Sequence, residues 1–460
     1  MKFLMTLFQI QDYGGIINHA EYLTKGLKEL GHEVDFRVLV PKGAVSNKKS
    51  MRGSNEGFTK LEGGTGYLFH QARGWRDVPK VPYVSKQARQ QFKEDCSKYD
   101  AVLWHIPVPT LNKDNANITA WLDLYDHGSK NIAIIHDGNL PKLYPHLISV
   151  SKHFHAAVCV HESAYNSAEY LDIPRKLILN PFKIHGSYGL EFDQRDGFMA
   201  VQIFKAWKRV DTLIRAIPHV KPYTDMFVGG AGIEYRYMTS KEKCKPQYFD
   251  SYGNRIWESA LKHGMNYLGV LENKTVLEML QKVKLQIDPS FSKKYSGYGA
   301  HFNRTTVEAM IKGAVPMATD LGMKDSQIFK SGQNYIEIPH TATPEEFGGI
   351  INDSLNNQAQ WESIRHNNLA LLNRFDMRNV AQEYVDLVTQ PTHFLAKGQP
   401  IKNISLVSAC NKNLNFFGLP ELAKVLSREE NYAEDGSANK SRWAAISDGI
   451  FLPQKRTRPN

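Results

Sequence analysis

The chain has 460 residues, of which 42% are hydrophobic and 23% are charged, and its formal net charge is +10. This length exceeds what one hydrophobic core usually serves, so we predict two domains with additional segments. The composition is typical of a soluble globular protein, and no stretch approaches the roughly 20 apolar residues that a membrane span needs. These numbers argue against a membrane-spanning protein.

The chain starts with the apolar stretch MKFLMTLFQI, which lacks a cationic run and a small-residue cleavage site. We interpret it as a first β-strand and not as a signal peptide. The cysteines are far apart and unpatterned, which argues against a disulfide framework or a zinc site; they are Cys96, Cys159, Cys244 and Cys410. We therefore expect a reducing, cytoplasmic location.

The first part of the chain alternates between predicted strands and helices. A strand at Phe3–Ile10 is followed by the loop QDYGG and by apolar residues at helical spacing, which are Ile16, Ala20, Leu23, Leu27 and Leu30. Gly31 ends this helix, and EVDFRVLV predicts the next buried strand. Further strands are predicted at Ala101–Ile106, Asn131–His136 and Ala156–His161. This alternation predicts a parallel, doubly wound sheet.

The polar segment Ser187–Gly197 predicts a linker, after which the alternation restarts. We predict strands at Gly197–Phe204, Met226–Gly230, Asn266–Leu271, Lys284–Ser290 and Ala314–Asp320. Helices are predicted at Val210–Ile217 and Thr275–Val283, and a helical stretch at about Pro344–Val388. We predict an α/β fold with Rossmann-like domains at residues 1–186 and 187–375, a helix at 376–395 that crosses back to the first domain, and an extension at 396–460 of unassigned fold.

Much of the positive charge is concentrated in Lys42–Arg89. This segment contains ten basic and three acidic residues, a surplus of seven positive charges. A charge run is usually a solvated face, but a glycine-rich loop with this bias and with Trp75 is also typical of a polyanion-binding surface.

Open parallel sheets bind ligands where loops connect the carboxyl ends of strands to helix N-termini. In the first such loop, Gly14 and Gly15 would let the backbone approach a phosphate or sugar, although a tight turn explains them equally well. His136 and Asp137 directly follow an apolar strand, where a carboxylate and an imidazole can tune each other's pKa. A helix N-cap is the structural alternative for Asp137.

Two further loops of this kind lie in the second part of the chain. Lys205 and Lys208 lie between a strand and a helix, where cations can clamp a diphosphate, and solvated lysines are the alternative. Gly297 and Gly299 leave backbone N–H groups accessible to a ligand.

The helix after Gly299 carries the remaining candidates. Thr305 or Thr306 lies in its first turn, and Glu308 lies about one turn inside. If it turns inward, the Glu308 carboxylate can accept hydrogen bonds from two vicinal hydroxyls, such as those of a ribose. An ordinary surface glutamate is the alternative.

In chain order, these motifs resemble a known family. The stretches are GGIINHAEYLTKGLKELGHEVDFRVLV, KAWKRVDTLIRA, FVGGAG, YLGVLENKTVLEML, IDPS and TTVEAMIKGAVPMATD. They are similar to the GT-B retaining glycosyltransferases over roughly Met1–Val388. The resemblance implies two Rossmann-like domains facing across a cleft, with a nucleotide-sugar donor, most simply a UDP-sugar, on the second domain and the acceptor on the first. It also implies catalysis without a metal ion or other cofactor, and the chain contains no Asp-x-Asp motif.

The resemblance also implies roles for individual residues. Glu308 matches the second of the family's two glutamates, which binds the ribose of the donor. Lys208 matches the lysine that holds the diphosphate, and Gly14–Gly15 match the loop near the donor phosphate. His136–Asp137 fall where the family places catalytic residues that face the acceptor or the sugar.

Two positions depart from the family pattern. Ala300 replaces the first glutamate, and Ile203 replaces an arginine whose charge Lys205 could supply. These departures leave open an atypical donor sugar or a non-catalytic descendant that binds a nucleotide-sugar or DNA.

Within the superfamily, the runs AWK and SGYG and the His136–Asp137 pair make the chain similar to the T-even phage DNA α-glucosyltransferases. This narrower resemblance implies a hydroxymethylated base in duplex DNA as acceptor, flipped out of the helix. The phosphates would be bound by cations of the basic segment, namely Lys48, Lys49, Arg52, Arg73 and Arg76. A polysaccharide or lipid-linked acceptor is the alternative. The first-domain loops of such enzymes usually form an apolar, amphipathic membrane face, and Lys42–Arg89 is too glycine-rich and polar for that.

Overall fold

The structure is a computed structural model. It describes residues 1–7, 15–40, 59–60, 67–68, 80–82, 86–105, 124–136, 138, 140, 147, 150–184, 190–202, 208–221, 225–230, 262–268, 271, 273–290, 303–323 and 326–390. Met1–Ala396 forms one compact unit. The predicted extension at 396–460 lies outside the described residues.

The strands are β1 (Lys2–Leu7), β2 (Glu33–Val40), β3 (Thr59–Lys60), β4 (Tyr67–Leu68), β5 (Lys80–Pro82), β6 (Ala101–His105), β7 (Lys130–Ile135), β8 (Ala156–Cys159), β9 (Arg175–Leu177), β10 (Phe198–Val201), β11 (Met226–Gly229), β12 (Asn266–Tyr267), β13 (Leu285–Asp288), β14 (Val315–Thr319) and β15 (Ile336–Ile338). The helices are α1 (Gly15–Glu29), α2 (Lys86–Cys96), α3 (Glu162–Ser167), α4 (Val210–Ala216), α5 (Asn273–Leu280), α6 (Arg304–Lys312), α7 (Asp320–Met323), α8 (Pro344–Asn356), α9 (Gln358–Leu372) and α10 (Met377–Thr389).

Among the described residues, these strands form two all-parallel sheets and one small hairpin. The first sheet has the order β5-β2-β1-β6-β7-β8-β9, and the second has the order β12-β11-β10-β13-β14-β15. We call the first sheet, with the helices packed on it, the first domain, and the second sheet, with its helices, the second domain. The predicted α/β fold with two parallel-sheet domains is confirmed.

Both faces of the first sheet are covered, which explains the continuous apolar runs of its central strands β1, β6, β7 and β8. Along β1, Phe3 and Met5 contribute to the core on one face, whereas Leu4 contributes to the core on the other. This division follows from the two-residue repeat of a strand. The core on the Phe3 side also contains residues of α10, including Tyr384.

Helix α10 packs closely on α1. Gly26 of α1 permits this approach, because a Cβ atom there would lie 2.1 Å from the carbonyl oxygen of Met377. The helical stretch predicted up to Val388 therefore consists of α8, α9 and α10, and the last of these lies on the first domain.

The structure differs from the sequence prediction in two segments. The basic segment was predicted as a loop, but it contains the antiparallel pair β3–β4, the edge strand β5 and the start of α2. The segment Ser187–Gly197, predicted as a linker, ends in packed residues. Phe192 is buried in the core of the second domain, and Arg195 is only 3% exposed. The Arg195 guanidinium donates to the carbonyl oxygens of Leu280, Val283 and Lys312. This polar residue therefore fixes the segment to the second domain.

Among the described residues, no helix has the length and apolar character that crossing a membrane requires.

Candidate active site

Glu308 lies on the inner side of α6 and is 5% exposed. Its Oε1 accepts a hydrogen bond of 2.9 Å from Asn273 Nδ2 at the start of α5, and Arg304 Nε lies 3.2 Å from the same oxygen. Burial raises the pKa of the Glu308 carboxyl, and the Arg304 charge and the Asn273 hydrogen bond oppose this shift. The inward orientation considered from the sequence is therefore present, and the surface alternative is wrong.

Lys208 lies just before α4 and points to the start of α6. Its Nζ donates a hydrogen bond of 2.8 Å to Asn303 Oδ1. Asn303 is the residue that precedes α6, and its Nδ2 donates to Asp288 at the end of β13. Burial lowers the pKa of Lys208, and the Asp288 charge opposes the shift. A lysine is thus held at a helix N-terminus, where the helix dipole also favours anions.

A polar chain continues from Asp288 along the strand ends. Asp288 accepts hydrogen bonds from the backbone N–H of Ser290, at 3.1 Å, and from the Ser290 hydroxyl. The Ser290 Oγ lies 3.0 Å from Gln202 Oε1, after the end of β10. This chain of hydrogen bonds joins the carboxyl ends of β10 and β13, where parallel sheets bind ligands. Thr305, which was predicted from the sequence as a site residue, lies half-buried in the first turn of α6.

A cluster of histidines lies at the carboxyl ends of the strands of the first sheet. His105 ends β6, and His136 follows β7; His105 Nδ1 lies 3.2 Å from His136 Nε2. The ring of His19, on α1, lies 5.0 Å from the His136 ring and 5.3 Å from the His105 ring. Burial lowers the pKa of His105 and of His136 well below the ordinary value and that of His19 to about 4. The cluster is therefore uncharged at neutral pH.

His161 fixes the backbone of His136. Its Nδ1 accepts from the backbone N–H of Ala164 at 3.0 Å, so the proton of the neutral ring is on Nε2. His161 Nε2 then donates to the carbonyl oxygen of His136 at 3.1 Å. The backbone at His136 is thus held from the neighbouring strand end.

His19 connects three distant parts of the chain. Its Nδ1 lies 2.9 Å from Asn180 Oδ1, and its Nε2 lies 3.2 Å from the Tyr384 hydroxyl. Because the ring is fully buried, these bonds satisfy polar atoms that water cannot reach. They hold α1, the segment after β9 and α10 together beside His136.

The two domains also meet through Glu162 and Arg304. Glu162 of the first domain accepts from the Ser326 hydroxyl and from the backbone N–H of Gln327. The Arg304 guanidinium lies over the ring of Phe182, at 4.1 Å, and over the ring of Tyr22 of α1, at 5.1 Å.

No family model matches the chain, and no curated protein matches its sequence. Solved structures do match it. HepE of Anabaena in complex with UDP-glucose superposes with a TM-score of 0.58 at 13% identity, covering 85% of this chain and 99% of HepE. The chain has the GT-B fold.

Other GT-B structures are similar to the same extent. An alpha-glucosyltransferase in complex with UDP-glucose and DNA containing an abasic site has a TM-score of 0.56 at 13% identity, covering 85% of this chain and all of that one. A mutant of TarM of S. aureus in complex with Fondaparinux, alpha-GlcNAc-glycerol and UDP has a TM-score of 0.55 at 11% identity, again covering 85% of this chain and all of TarM. The predicted resemblance to the GT-B glycosyltransferases is thus confirmed at the level of the fold.

Within this GT-B fold, the predicted residues fall into three groups. Lys208, Thr305 and Glu308 lie in the second domain, around the start of α6, and His136 lies in the first domain, at the carboxyl end of the interior strand β7. Gly15 is the first residue of α1. The other candidates lie outside the described residues; they are Gly14, Asp137, Lys205, Gly297, Gly299, Lys48, Lys49, Arg52, Arg73 and Arg76.

Several residues of the site were not among the candidates predicted from the sequence; they are His19, His105, His161, Asn273, Asp288, Asn303 and Arg304. His105 and Asp288 end the strands β6 and β13, and His161 follows two residues after β8. Their positions at strand ends could have identified these three as candidates. Among the described residues, no group of three or more His, Cys, Asp or Glu side chains could hold a metal ion.

Proposed function

We propose that the protein is a retaining glycosyltransferase that uses a UDP-sugar donor. The observation that carries this proposal is that Lys208 lies at the N-terminus of α6 and Glu308 lies further along the same helix, inside a GT-B fold. Lys208 lies at the helix N-terminus, and Glu308 lies five residues after Asn303, about 7 Å further along the axis. A nucleoside diphosphate can span this distance, with its diphosphate at the cation and its ribose at the carboxylate.

The chemistry of these groups suits departure of a nucleoside diphosphate. The positive charge of Lys208 and the dipole of α6 would stabilise the charge that develops on the leaving diphosphate. Lys205, which stands three residues earlier, is proposed to add to this charge. We propose that these cations replace a metal ion, so that transfer needs none.

His136 is proposed to act together with Asp137 at the acceptor side. Burial keeps the His136 ring neutral, so one of its nitrogens can accept a proton or a hydrogen bond. His161 donates to the His136 carbonyl, which fixes the backbone of His136. The pair would receive the acceptor proton or contact the transferred sugar.

The acceptor we propose is a hydroxymethylated base in duplex DNA. The surplus of seven positive charges in Lys42–Arg89 and the similarity to the alpha-glucosyltransferase complex with DNA support this choice. The TarM complex, which contains Fondaparinux and alpha-GlcNAc-glycerol, shows that the fold is found with other ligands, and it favours a glycan acceptor as the alternative.

The deciding experiment incubates the protein with a panel of UDP-sugars and with hydroxymethylated or unmodified DNA. Mass spectrometry of the nucleosides should show a hexose or pentose added only to the modified base. UDP release without acceptor would show a catalytic donor site, whereas neither release nor transfer with any UDP-sugar would leave only the non-catalytic alternative. Transfer to a glycan but not to DNA would overturn the acceptor proposal alone.

The DNA proposal has a second, independent test. Each phosphate contact contributes a slope of about −0.9 in log affinity against log salt, so four contacts would weaken binding roughly a hundredfold between 50 and 200 mM salt. Replacing Lys48, Lys49, Arg52 and Arg76 by Glu should abolish DNA binding in gel shifts and leave UDP affinity unchanged. A flat salt dependence would remove DNA from the proposal.

A further inference from the structure

Arg304 is placed between the proposed donor site and the first domain. It begins α6, one turn before Glu308, and its Nε lies 3.2 Å from Glu308 Oε1. The same guanidinium lies over the rings of Phe182 and of Tyr22, which belongs to α1. The Arg304 and Glu308 side chains are only 16% and 7% exposed. An i,i+4 ion pair on a helix is usually a solvated surface feature, but this one is enclosed between two domains.

Among the described residues, both polar contacts of the Glu308 carboxylate are made through one oxygen. Asn273 Nδ2 donates to Oε1, and Arg304 forms an ion pair with the same oxygen, in which Nε lies 3.2 Å away but makes no hydrogen bond. Neither contact uses Oε2. A carboxylate held in this way by one oxygen can present the other to a pair of hydroxyls.

We propose that Arg304 is a positioning residue: together with Asn273 it holds the Glu308 carboxylate through Oε1, so that Oε2 is presented to the ribose hydroxyls of the donor. The aromatic faces of Tyr22 and Phe182 hold the guanidinium in place, so alignment of the donor site depends on α1 of the other domain. This inference rests on the proposed function and concerns the same site.

The charges around Arg304 determine what a pH experiment reports. On α1, His19 has a pKa lowered by burial to about 4, so it stays neutral above pH 5, and Glu21 is paired with Lys25 at 2.7 Å. On α6, burial raises the pKa of Glu308 and the Arg304 charge opposes that shift. Removing Arg304 therefore raises the pKa of Glu308 further, and the carboxylate becomes protonated at higher pH.

The test measures affinity for UDP and for uridine between pH 5 and pH 8. Uridine is included because it has no phosphate that titrates in this range or is attracted directly by the Arg304 charge. Arg304→Met should move the pH at which uridine affinity is half lost upward by about one unit or more, since a nearby opposite charge shifts a carboxyl pKa by about that amount. Arg304→Lys keeps a positive charge and should restore most of the wild-type profile.

Control variants separate this inference from the proposed function. Glu308→Gln should bind both ligands weakly, and its affinity for uridine should not depend on pH. If it binds like wild type, the donor site and the inference fail together. If Glu308→Gln binds weakly while Arg304→Met keeps the wild-type pH profile, only the role of Arg304 is overturned.

The Tyr22 variants decide the question if Arg304→Met does not fold. Tyr22→Leu removes the ring face and should shift the uridine profile in the same direction as Arg304→Met, whereas Tyr22→Phe keeps the face and should leave the profile in place. Identical profiles for Tyr22→Leu and Tyr22→Phe, with circular dichroism showing both folded, would overturn the dependence on α1.

Discussion

Two adjacent glycines of α8 should respond in opposite ways to the same substitution. A Cβ atom at Gly348 would lie 2.6 Å from His219 Cβ and 3.0 Å from the Ala216 carbonyl oxygen, whereas a Cβ atom at Gly349 would meet nothing within 4 Å. Gly348 is the point where α8 packs on the segment that follows α4, and Gly349 is turned away from it. Gly348→Ala should therefore destabilise the second domain, and Gly349→Ala should stabilise it.

The magnitude follows from two opposing contributions. Alanine is favoured over glycine inside a helix by about 1 kcal/mol, and this gain is the same at both positions. Carbon atoms normally approach to about 3.5–4.0 Å, so the helix at Gly348 would have to move outward by roughly 1 Å. Such overpacking costs about 1–3 kcal/mol. Because the helix contribution cancels, the two variants should differ in free energy of unfolding by about that cost.

Urea denaturation followed by circular dichroism measures this difference. We expect Gly348→Ala to have the lower transition midpoint and Gly349→Ala a midpoint at or above that of the wild type, with similar slopes. A protein of several domains need not unfold in a two-state transition, which makes an absolute free energy of unfolding inaccurate. Comparing the two variants with each other reduces this error, because it affects both in the same way. Equal midpoints for both variants would show that α8 does not pack through Gly348 as described.

Four further predictions concern the site and its surroundings. Lys208→Ala should lower kcat more than donor affinity, because the lysine acts on charge that develops in the transition state; equal effects on both would contradict this role. Tyr384→Phe leaves His19 Nε2 without its hydroxyl partner and should cost about 1–3 kcal/mol in chemical denaturation, while no change would argue against the bond. Partial burial raises the pKa of Asp320, but hydrogen bonds from His340 and from backbone N–H groups outweigh it and lower this pKa. Asp320→Asn should therefore reduce stability at neutral pH, and the difference from wild type should shrink below the ordinary aspartate pKa of about 3.9 and vanish once the carboxyl is protonated in the folded protein as well; a difference that persists there would have another cause. EDTA should leave sugar transfer intact, and loss of activity that magnesium restores would refute the metal-free proposal.

The long elements were predictable from the sequence. Strands such as β1 and β7 are apolar runs buried on both faces, and α1 shows helical spacing, so local pattern and tertiary burial agree. The edge strands β9 and β15 were not predicted, because three residues are too few to show a period. The hairpin β3–β4 has two residues in each strand and was missed for the same reason.

The site was predictable only in part. Glu308 and Lys208 could be proposed because they fall in motifs that resemble those of a family. His19 could not, because its partners are 161 and 365 residues away in the chain and nothing local marks it. Arg304 stands four residues before Glu308, but this spacing is ordinary on a solvated helix. Only burial between two domains distinguishes this pair.

The contacts between the two domains differ in how easily water can replace them. Water can take over the hydrogen bonds that Glu162 accepts from Ser326 and Gln327, so breaking them has a small net cost. In contrast, Phe182 and Phe375 belong to one buried apolar cluster, and the Phe182 N–H donates to the Phe375 carbonyl at 2.7 Å. Separation of the domains would therefore start at Glu162 and reach the contacts around Phe182 later.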